Sequence, residues 1–596
     1  MGGWTLPDTL GLAAESRAGI TYVQDDGSER SESYAALHAR AQAIACHLAA
    51  NGIGRGDRVA LLIPETEGFL PALYGASMTG AVVVPLAPPP HLAQLEASLG
   101  AWQRMVAAAE VSAILTSASL RAMLGSLHAA CPTVREIRPW EDAARGGGTF
   151  ENQARAEDPS LIQFTSGSTS HPKGVVLAHE NLGANVEGFT GPAGLDVGEG
   201  DVGVSWLPLF HDMGLIGAVM GAVHTRVPLV LMPPLLFLKR PSEWLRAITR
   251  HRATLSFAPN FAYELCVRRG AGHTDNGLDL STWRVAGCGS EPIRPETLEA
   301  FAEAFADRGF KAEAFLPSYG LAETTLAATF HRRGESWRVD RVSSRALREE
   351  ERAVPCVNGQ EAAVRLVSCG RPFPGHEVRI ADGHDRPLPE RSVGEILLRG
   401  PSVMRGYYRD ARHSAEALRG GWLHTGDLGY LAGGELFVCG RKKDLIIVHG
   451  RNYHPQDLEW AASEVDDVRR GNVVAFCTAG PDGEERLVLV AESRGRRDAE
   501  AVAAEIRRRV QDASGLHVHD VRVVPKGAIP KTTSGKVQRG RLKARYEAGE
   551  PLHAASEPRT LFHHLLSSQW GYTKVAARKL ALRFGGGRNG RTGLEA

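Results

Sequence analysis

Gln163-Phe164-Thr165-Ser166-Gly167-Ser168-Thr169-Ser170-His171-Pro172-Lys173-Gly174-Val175 packs hydroxyls, glycines and a cation into one turn. The preceding Leu161-Ile162-Gln163-Phe164 reads as a strand end. Side-chain hydroxyls of Thr165, Ser166, Ser168 and Thr169, with the backbone around Gly167, can cradle the β- and γ-phosphates of a nucleotide, and Lys173 adds charge. The pattern is not a Walker loop: GxxxxGK[ST] is absent, and Lys173 precedes Gly174. Far along the chain, Ile529-Pro530-Lys531-Thr532-Thr533-Ser534-Gly535-Lys536-Val537 offers a second cation, Lys536, on a short loop. Such a cation suits a carboxylate and a phosphate being joined. The two elements together suggest activation of an acid by ATP.

Outward from the loop, short β-branched runs alternate with helical patterns. Val59-Ala60-Leu61-Leu62-Ile63, Ala81-Val82-Val83-Val84-Pro85-Leu86, Leu229-Val230-Leu231-Met232 and Leu255-Ser256-Phe257-Ala258 read as strands, and 34–51 is apolar at helical spacing. This predicts an α/β fold with largely parallel sheets. A boundary falls near Gly440-Arg441-Lys442-Lys443-Asp444, after which the pattern becomes smaller and α+β: strands at 445–448, 473–477 and 487–491, and a charged helix over 498–512. The expected organisation is a large domain over 1–443, a small domain over 444–549 and a basic tail over 550–596.

The chain has 596 residues, long enough for large cores, with 43% hydrophobic and 23% charged residues. A net charge of +1 argues against a general nucleic-acid binder. Its 8 cysteines form no CxxC pair and read as reduced thiols of a cytoplasmic protein. The N-terminus lacks the pattern of a signal peptide. The most apolar stretch, 215–238, contains His224, Arg226 and prolines, and reads as buried sheet and loop rather than a transmembrane segment.

TSGST-x-x-PKG resembles the phosphate loop of the adenylate-forming superfamily: acyl-CoA synthetases, nonribosomal adenylation domains and luciferases. Ser318-Tyr319-Gly320-Leu321-Ala322-Glu323-Thr324, Gly421-Trp422-Leu423-His424-Thr425-Gly426-Asp427-Leu428-Gly429, Gly440-Arg441-Lys442-Lys443-Asp444-Leu445-Ile446 and the Lys536 loop agree in the family's order. The resemblance spans about 1–546 and implies the adenylate-forming fold, with a small domain that moves. It implies that Tyr319, within Ser318, Tyr319, Gly320 and Ala322, stacks on adenine, which Gly289, Ser290 and Glu291 flank. It implies that Glu323 helps hold Mg²⁺, that Asp427 accepts the ribose hydroxyls, and that Arg441 lies near ribose and phosphate. Asp444 is then the hinge, and Lys536 bridges carboxylate and α-phosphate.

Ser205-Trp206-Leu207-Pro208-Leu209-Phe210-His211-Asp212-Met213-Gly214-Leu215 is similar to the SWLPxxHDMGL string of fatty acyl-AMP ligases. Ala258-Pro259-Asn260-Phe261-Ala262-Tyr263-Glu264-Leu265, Val367-Ser368-Cys369-Gly370 and His449-Gly450-Arg451-Asn452-Tyr453-His454-Pro455-Gln456-Asp457-Leu458-Glu459 agree. The resemblance places His211 at the mouth of an acyl tunnel; Phe210, Met213 and Phe261 either line that tunnel or fill core. It also implies a branch-specific insertion, here about 341–368, that goes with poor use of free CoA. Position 170 is Ser where many relatives have Gly. No GxDS-type phosphopantetheine site is present, so an acyl carrier protein would be a separate partner.

The expected activity is therefore formation of fatty acyl-adenylate from a fatty acid, ATP and Mg²⁺, with transfer to a carrier's phosphopantetheine thiol. A fatty acyl-CoA synthetase and a non-catalytic scaffold are the rivals. Beyond Pro558 the tail has seven Lys/Arg against one Asp/Glu. It reads as a helix packed on the small domain, as disorder, or as a site for an acidic carrier or weak contact with an anionic membrane surface.

Overall fold

The computed structural model describes residues 3–89, 95–165, 172–270, 277–356, 363–448, 451–479, 484–532, 535–553, 568–570 and 572–575. The chain divides into two compact units, Met1–Ala36 with Arg155–Ser556 and Leu37–Ala154 with Glu557–Ala596.

In the first unit a nine-stranded sheet runs in the order Arg371–Pro372, Ala327–Phe330, Phe315–Gly320, Val285–Cys288, Leu255–Ala258, Gly203–Ser205, Leu229–Leu231, Gly19–Val23, Glu29–Ser33. The strands from Phe315–Gly320 to Gly19–Val23 are mutually parallel, and the antiparallel pairs sit at the edges. Pairing Ala258 with Cys288, and Cys288 with Pro317, levels the carboxyl ends of three strands. Ligands of open α/β sheets bind beyond such ends, and the expected site segments begin there: His211 follows Ser205, Phe261 follows Ala258, and Gly289-Ser290-Glu291 follows Cys288.

An aromatic core supports this rim. Trp206, Phe237, Trp244, Tyr263, Trp283, Phe301 and Phe315 are buried together. Trp206 stacks on Phe237 at 3.9 Å and Trp244 meets Trp283 edge-on at 5.2 Å. Polar tips buried with these rings need partners. Tyr263 donates to the Gly287 carbonyl (2.8 Å), Trp283 to the Val285 carbonyl (2.7 Å) and Trp244 to Ser256 Oγ (2.9 Å). Position 287 has to be glycine, since a Cβ there would lie 2.0 Å from the Phe257 ring.

The apolar stretch at 215–238 departs from the expected sheet and loop. Met213–Met220 is a π-helix, followed by the helix Gly221–Thr225, the strand Leu229–Leu231 and the helix Pro234–Lys239. Asp212 caps the first of these by accepting from Met213 N (2.7 Å). Gly214 lets the backbone pass the Pro208 carbonyl, where a Cβ would come within 2.3 Å. Widened helical turns of this kind concentrate at functional sites. No helix among the described residues is long and apolar enough to cross a membrane.

Further strands of this unit pair antiparallel: Glu377–Ala381, Gly394–Arg399, Trp422–Ala432 and Glu435–Arg441. Pro159–Thr165 pairs with Lys173–Ala178, Thr165 opposite Lys173, so the phosphate-loop sequence connects a hairpin. Val339–Ser343 pairs with Ala363–Val367, and the helix Ser344–Glu349 follows the first of them, within and just before the expected insertion over 341–368. The C-terminal α+β pattern has its own sheet, Val468–Ala479, Glu485–Ser493 and Asp520–Val524, packed by the helices Pro455–Ser463, Ala499–Ser514 and Arg539–Glu547 around buried Val and Leu. Asp498 caps Ala499–Ser514 by accepting from Ala501 N, and Gly515 ends it at φ +73°.

The second unit carries four parallel strands in the order Val82–Pro85, Arg58–Leu62, Ala113–Thr116, Glu136–Pro139. Thr66–Met78 is buried nearly all round, as expected of an apolar helix inside an α/β layer. The tail joins this unit and not the small C-terminal sheet. Ser568 is fully buried, accepting from Gly125 N (2.7 Å) and donating to the Ala122 carbonyl (2.6 Å), and Tyr572 donates to the Arg121 carbonyl (2.6 Å). Glycine at 125 makes this seat: a Cβ there would fall 1.8 Å from the Ser568 carbonyl oxygen.

Candidate active site

Strand register builds the centre of the site. Asp427 and Arg441 are direct partners on the antiparallel strands Trp422–Ala432 and Glu435–Arg441. Opposite charges there face each other, and Arg441 Nε lies 3.1 Å from Asp427 Oδ1. Tyr319, at the end of Phe315–Gly320, donates its hydroxyl to Asp427 Oδ2 at 2.7 Å. Asp427 is 7% exposed. Burial raises its pKa even with Arg441 and Lys536 pulling the other way. Thr425 and Glu395 hold this turn: Asp427 N donates to Thr425 Oγ1 (3.0 Å) and Gly426 N to Glu395 Oε1 (3.2 Å), and Lys442 Nζ sits 3.1 Å from Glu395 Oε2. Lys442 opens the short turn Lys442–Asp444, so one carboxylate braces both the Asp427 turn and the expected hinge.

Glu323 lies in the turn Ala322–Thr324, where Ala322 is buried. Its Oε1 accepts from Tyr407 (2.9 Å), and the Lys173 ammonium sits over the Tyr407 ring at 4.9 Å. Burial raises the Glu323 pKa. A carboxylate so placed gains from a hard cation, and Mg²⁺ takes one or two carboxylates and fills its remaining positions from phosphate and water. Glu323 thus fits the Mg²⁺ role without a larger protein cage; among the described residues no group of three or more His, Cys, Asp or Glu is arranged to hold a metal.

The turn around Glu323 is strained. Thr325 has φ +70° and ψ −61°, a conformation β-branched residues rarely adopt. Asn185, fully buried, clamps it by donating to the Thr324 and Ala327 carbonyls (3.2 and 2.8 Å) and accepting from Ala327 N (3.2 Å). Thr325 Oγ1 donates to the Ser402 carbonyl at 2.7 Å. Ser290 is also left-handed, at φ +73°, in the segment expected beside adenine. Its neighbour Gly289 allows close approach to Ser318, whose Oγ a Cβ would meet at 2.7 Å, and Gly320 similarly clears the Leu326 carbonyl.

On the opposite side, His211 Nδ1 lies 2.5 Å from Asp212 Oδ1. Burial alone would raise the Asp212 pKa, but the charge and hydrogen bond of His211, with Lys536 beyond, bring it below the usual value. Gln163 Nε2 donates to the Phe210 carbonyl (2.8 Å), tying this segment to the hairpin of the phosphate loop. Met213 is buried at the start of the π-helix, and Phe261 meets Trp206 edge-on at 6.1 Å. Phe261 N donates to Glu291 Oε1 (2.6 Å), and burial raises the Glu291 pKa.

Lys536 enters this ring of charges. Its side chain reaches solvent, but protein crowds it closely enough to lower its pKa, an effect that Asp212, Glu291 and Asp427 oppose and Arg441 reinforces. The structure therefore brings Tyr319, Asp427 and Arg441 into direct contact, with Glu323 and Lys536 near enough to feel their charge; Lys536 also feels Asp212, the partner of His211, and Glu291. Thr165 and Lys173 flank the phosphate loop as cross-strand partners, while Ser166, Gly167, Ser168 and Thr169 lie outside the described residues. Asp444 Oδ2 is 4.0 Å from Arg539 Nε, and Arg539 also pairs with Glu459. Tyr407, Asn185, Thr325 and Glu395 were not expected. Nothing in the sequence of the helix His179–Thr190, which carries Asn185, pointed toward the clamp.

The family model described as AMP-binding enzyme matches residues 12–408. The chain belongs to the AMP-binding enzymes. Among these adenylate-forming enzymes its relatives include the medium-chain-fatty-acid–[acyl-carrier-protein] ligase JamA of Moorena producens, 35% identical over 90% of this chain and 93% of that one. A Caulobacter vibrioides protein provisionally named an acyl-CoA synthetase is 36% identical over 91% of this chain and 96% of its own. A solved structure from work on the fatty acyl-adenylate ligases of E. coli and L. pneumophila superposes with a TM-score of 0.86 at 35% identity, covering 92% of this chain and 98% of that one. The fold is that of the adenylate-forming enzymes, and the chain is an acyl-AMP ligase of the fatty acyl-AMP branch.

Proposed function

We propose that the enzyme joins a fatty acid to AMP and passes the acyl group to the phosphopantetheine thiol of a separate acyl carrier protein. In the first step a carboxylate oxygen of the acid attacks the α-phosphorus of ATP. The bond from that phosphorus to the oxygen bridging to the β-phosphate breaks, and pyrophosphate leaves. Asp427 accepts the ribose hydroxyls, Tyr319 presents its ring to adenine beside Gly289, Ser290 and Glu291, and the loop at Thr165 holds the β- and γ-phosphates with Lys173. Glu323 would hold Mg²⁺, which would supply charge neutralisation to the leaving pyrophosphate. His211, anchored through Nδ1 by Asp212, sits at the mouth of the acyl tunnel against the fatty carboxylate. Lys536 neutralises the charge that builds between carboxylate and α-phosphate; preorganised charges of this kind supply much of an enzyme's rate.

The observation that carries this reading is the buried Asp427 carboxylate held between Arg441 Nε (3.1 Å) and the Tyr319 hydroxyl (2.7 Å). For the second step the small C-terminal domain swings at Asp444, withdrawing Lys536 so that a thiol can reach the acyl carbonyl and displace AMP. The insertion bears on the choice of acceptor. Arg348 stacks over Tyr453 at 5.2 Å and donates to the Ser514 carbonyl (3.3 Å), Glu349 pairs with Arg451 at 3.2 Å, and Asn452 donates to Glu351 (2.9 Å). These contacts hold the small domain as adenylation needs it, and a carrier bringing its own docking energy overcomes them more readily than free CoA. Pyrophosphate release on adding fatty acid and ATP tests the first step. Product analysis with CoA against a carrier protein tests the second; robust acyl-CoA formation would assign the protein to the synthetases instead.

A further inference from the structure

Glu395 is a carboxylate in an apolar strand. Gly394–Arg399 continues with Ile396, Leu397 and Leu398, all buried, and Glu395 itself is 9% exposed. A buried carboxylate costs stability unless its oxygens find partners. Here the partners come from an irregular register. Leu397 pairs with His424 and Glu395 with Leu428, so Thr425, Gly426 and Asp427 stand opposite Ile396 alone. Such a bulge re-aims a side chain, and this one carries Asp427 out of the ladder to Tyr319 and Arg441. Two side chains take up hydrogen bonds that the ladder forgoes. Thr425 Oγ1 donates to the Ile396 carbonyl (2.7 Å), and Glu395 Oε1 accepts from Gly426 N (3.2 Å), where Gly426 turns at φ +70°. Glu395 Oε2 holds the Lys442 ammonium at 3.1 Å. The His424 ring lies beside them, its side chain 6% exposed and its Nδ1 3.8 Å from Glu395 Oε1.

We propose that Glu395 is a positioning residue that couples occupancy of the nucleotide site to the order of the hinge turn. One of its oxygens fixes the turn that aims Asp427; the other fixes Lys442, the first residue of Lys442–Asp444. A ligand on Asp427 steadies the bulge, the bulge steadies Glu395, and Glu395 steadies Lys442. Such coupling is reciprocal, so whatever loosens the hinge turn also weakens nucleotide binding. Arg441 joins the same two places directly, as the partner of Asp427 and the neighbour of Lys442. Glu395 acts on the nucleotide through the turn, which is what separates its effect from that of Arg441. The coupling rests on the reading given above, in which Asp427 takes the ribose and the small domain swings at Asp444. Nucleotide binding is measured without acid or turnover, so the two can fail separately.

The test is calorimetric ATP binding together with hydrogen–deuterium exchange across 442–446, both on the full-length protein without fatty acid. Glu395→Gln should weaken ATP binding by about three- to tenfold, through a weakened hydrogen bond and a lost ion pair. In an Asp427→Ala background the same change should weaken it by less than about twofold further, because Glu395 acts through Asp427. In the parent, ATP should slow exchange across 442–446 by about fivefold; in Glu395→Gln and in Lys442→Met the slowing should be less than about twofold. Lys442→Met alters a half-exposed side chain and keeps the bond from Gly426 to Glu395, so it tests the hinge side without disturbing the strand. A merely structural Glu395 would lower thermal stability and speed exchange equally with and without ATP. Equal weakening by Glu395→Gln in both backgrounds overturns the proposal, and so does undiminished protection by ATP in the two variants. An Asp427→Ala protein that binds ATP like the parent overturns the reading of the nucleotide site, and the coupling with it.

Discussion

Removing Trp460 should separate the two half-reactions. Trp460 lies on the small-domain helix Pro455–Ser463, with the Arg294 guanidinium 5.1 Å from its ring centroid. Arg294 is well fixed: its N–H donates to Asn260 Oδ1 (3.0 Å) and it begins the helix Pro295–Phe305. Its side chain is 21% exposed, so the cation–π contact is worth about 1 kcal/mol, between the exposed and desolvated limits. Nearby, Arg470 approaches Glu264 at 3.7 Å with 48% and 25% of the two side chains exposed, which contributes roughly 0–1 kcal/mol. Both contacts join the small domain to the body in the arrangement that holds Lys536 in the cleft. Losing the first contact, about 1 kcal/mol, lowers the ratio of closed to open forms by roughly 5-fold. Trp460→Ala should therefore slow pyrophosphate release at saturating substrates by up to that factor. Transfer to carrier from supplied acyl-adenylate, which in the proposed mechanism follows a swing of the domain, should be unchanged or faster. Combined with Arg294→Ala in a double-mutant cycle, the coupling should be about 1 kcal/mol. Equal slowing of both half-reactions, or a coupling under roughly 0.3 kcal/mol, would refute the reasoning.

Lys536→Ala should lower adenylate formation by about 10²–10³-fold or more while nucleotide binding, followed by calorimetry, stays nearly intact; a loss under tenfold would remove Lys536 from the mechanism. Asp427→Ala should raise the KM for ATP far more than that for the fatty acid, by charge-assisted hydrogen bonds worth about 1.5–3 kcal/mol each, and equal changes in both would make Asp427 structural. Deleting 341–368 should raise acyl-CoA formation from a low level, measured by product analysis. The ring of His179 accepts from Leu6 N at 3.1 Å through Nδ1, and burial brings its pKa down from 6.5 to about 4. The unfolded chain therefore takes up this proton first, so stability should fall as pH drops from 6.5 toward 4. Thermal melts of His179→Gln should show a shallower fall over that window.

The candidate centre was legible because its residues sit in short strings that resemble, in order, those of a known superfamily. Asp427, Arg441, Tyr319 and Glu323 could be named from such strings, and the α+β pattern after Asp444 followed from period and turn signals. What could not be read depends on contacts between distant segments. The seat of Ser568 on Gly125 joins residues more than four hundred positions apart. The clamp of Asn185 on the Thr325 turn joins a helix to a strained loop, and nothing local marks Thr325 as left-handed. The π-helix at Met213–Met220 was missed because an apolar run with glycines has the composition of a buried strand as much as of a wide helix.

The strand Glu435–Arg441 also dictates where this protein can be cut and rejoined. Arg441 is bonded to Asp427, while at the preceding residue Gly440, with φ +154°, a Cβ would lie 2.9 Å from His454 Nδ1 and 3.1 Å from Gln456 Nε2. A hybrid taking its C-terminal part from a relative must therefore keep the whole strand with its recipient. The seam belongs after Arg441, and the incoming part must present side chains no bulkier than His454 and Gln456 to the glycine. A seam placed before Gly440 would exchange Arg441, the partner of Asp427 and the proposed ribose–phosphate residue, along with the C-terminal part, and a changed affinity for ATP would then be mistaken for a property of the graft.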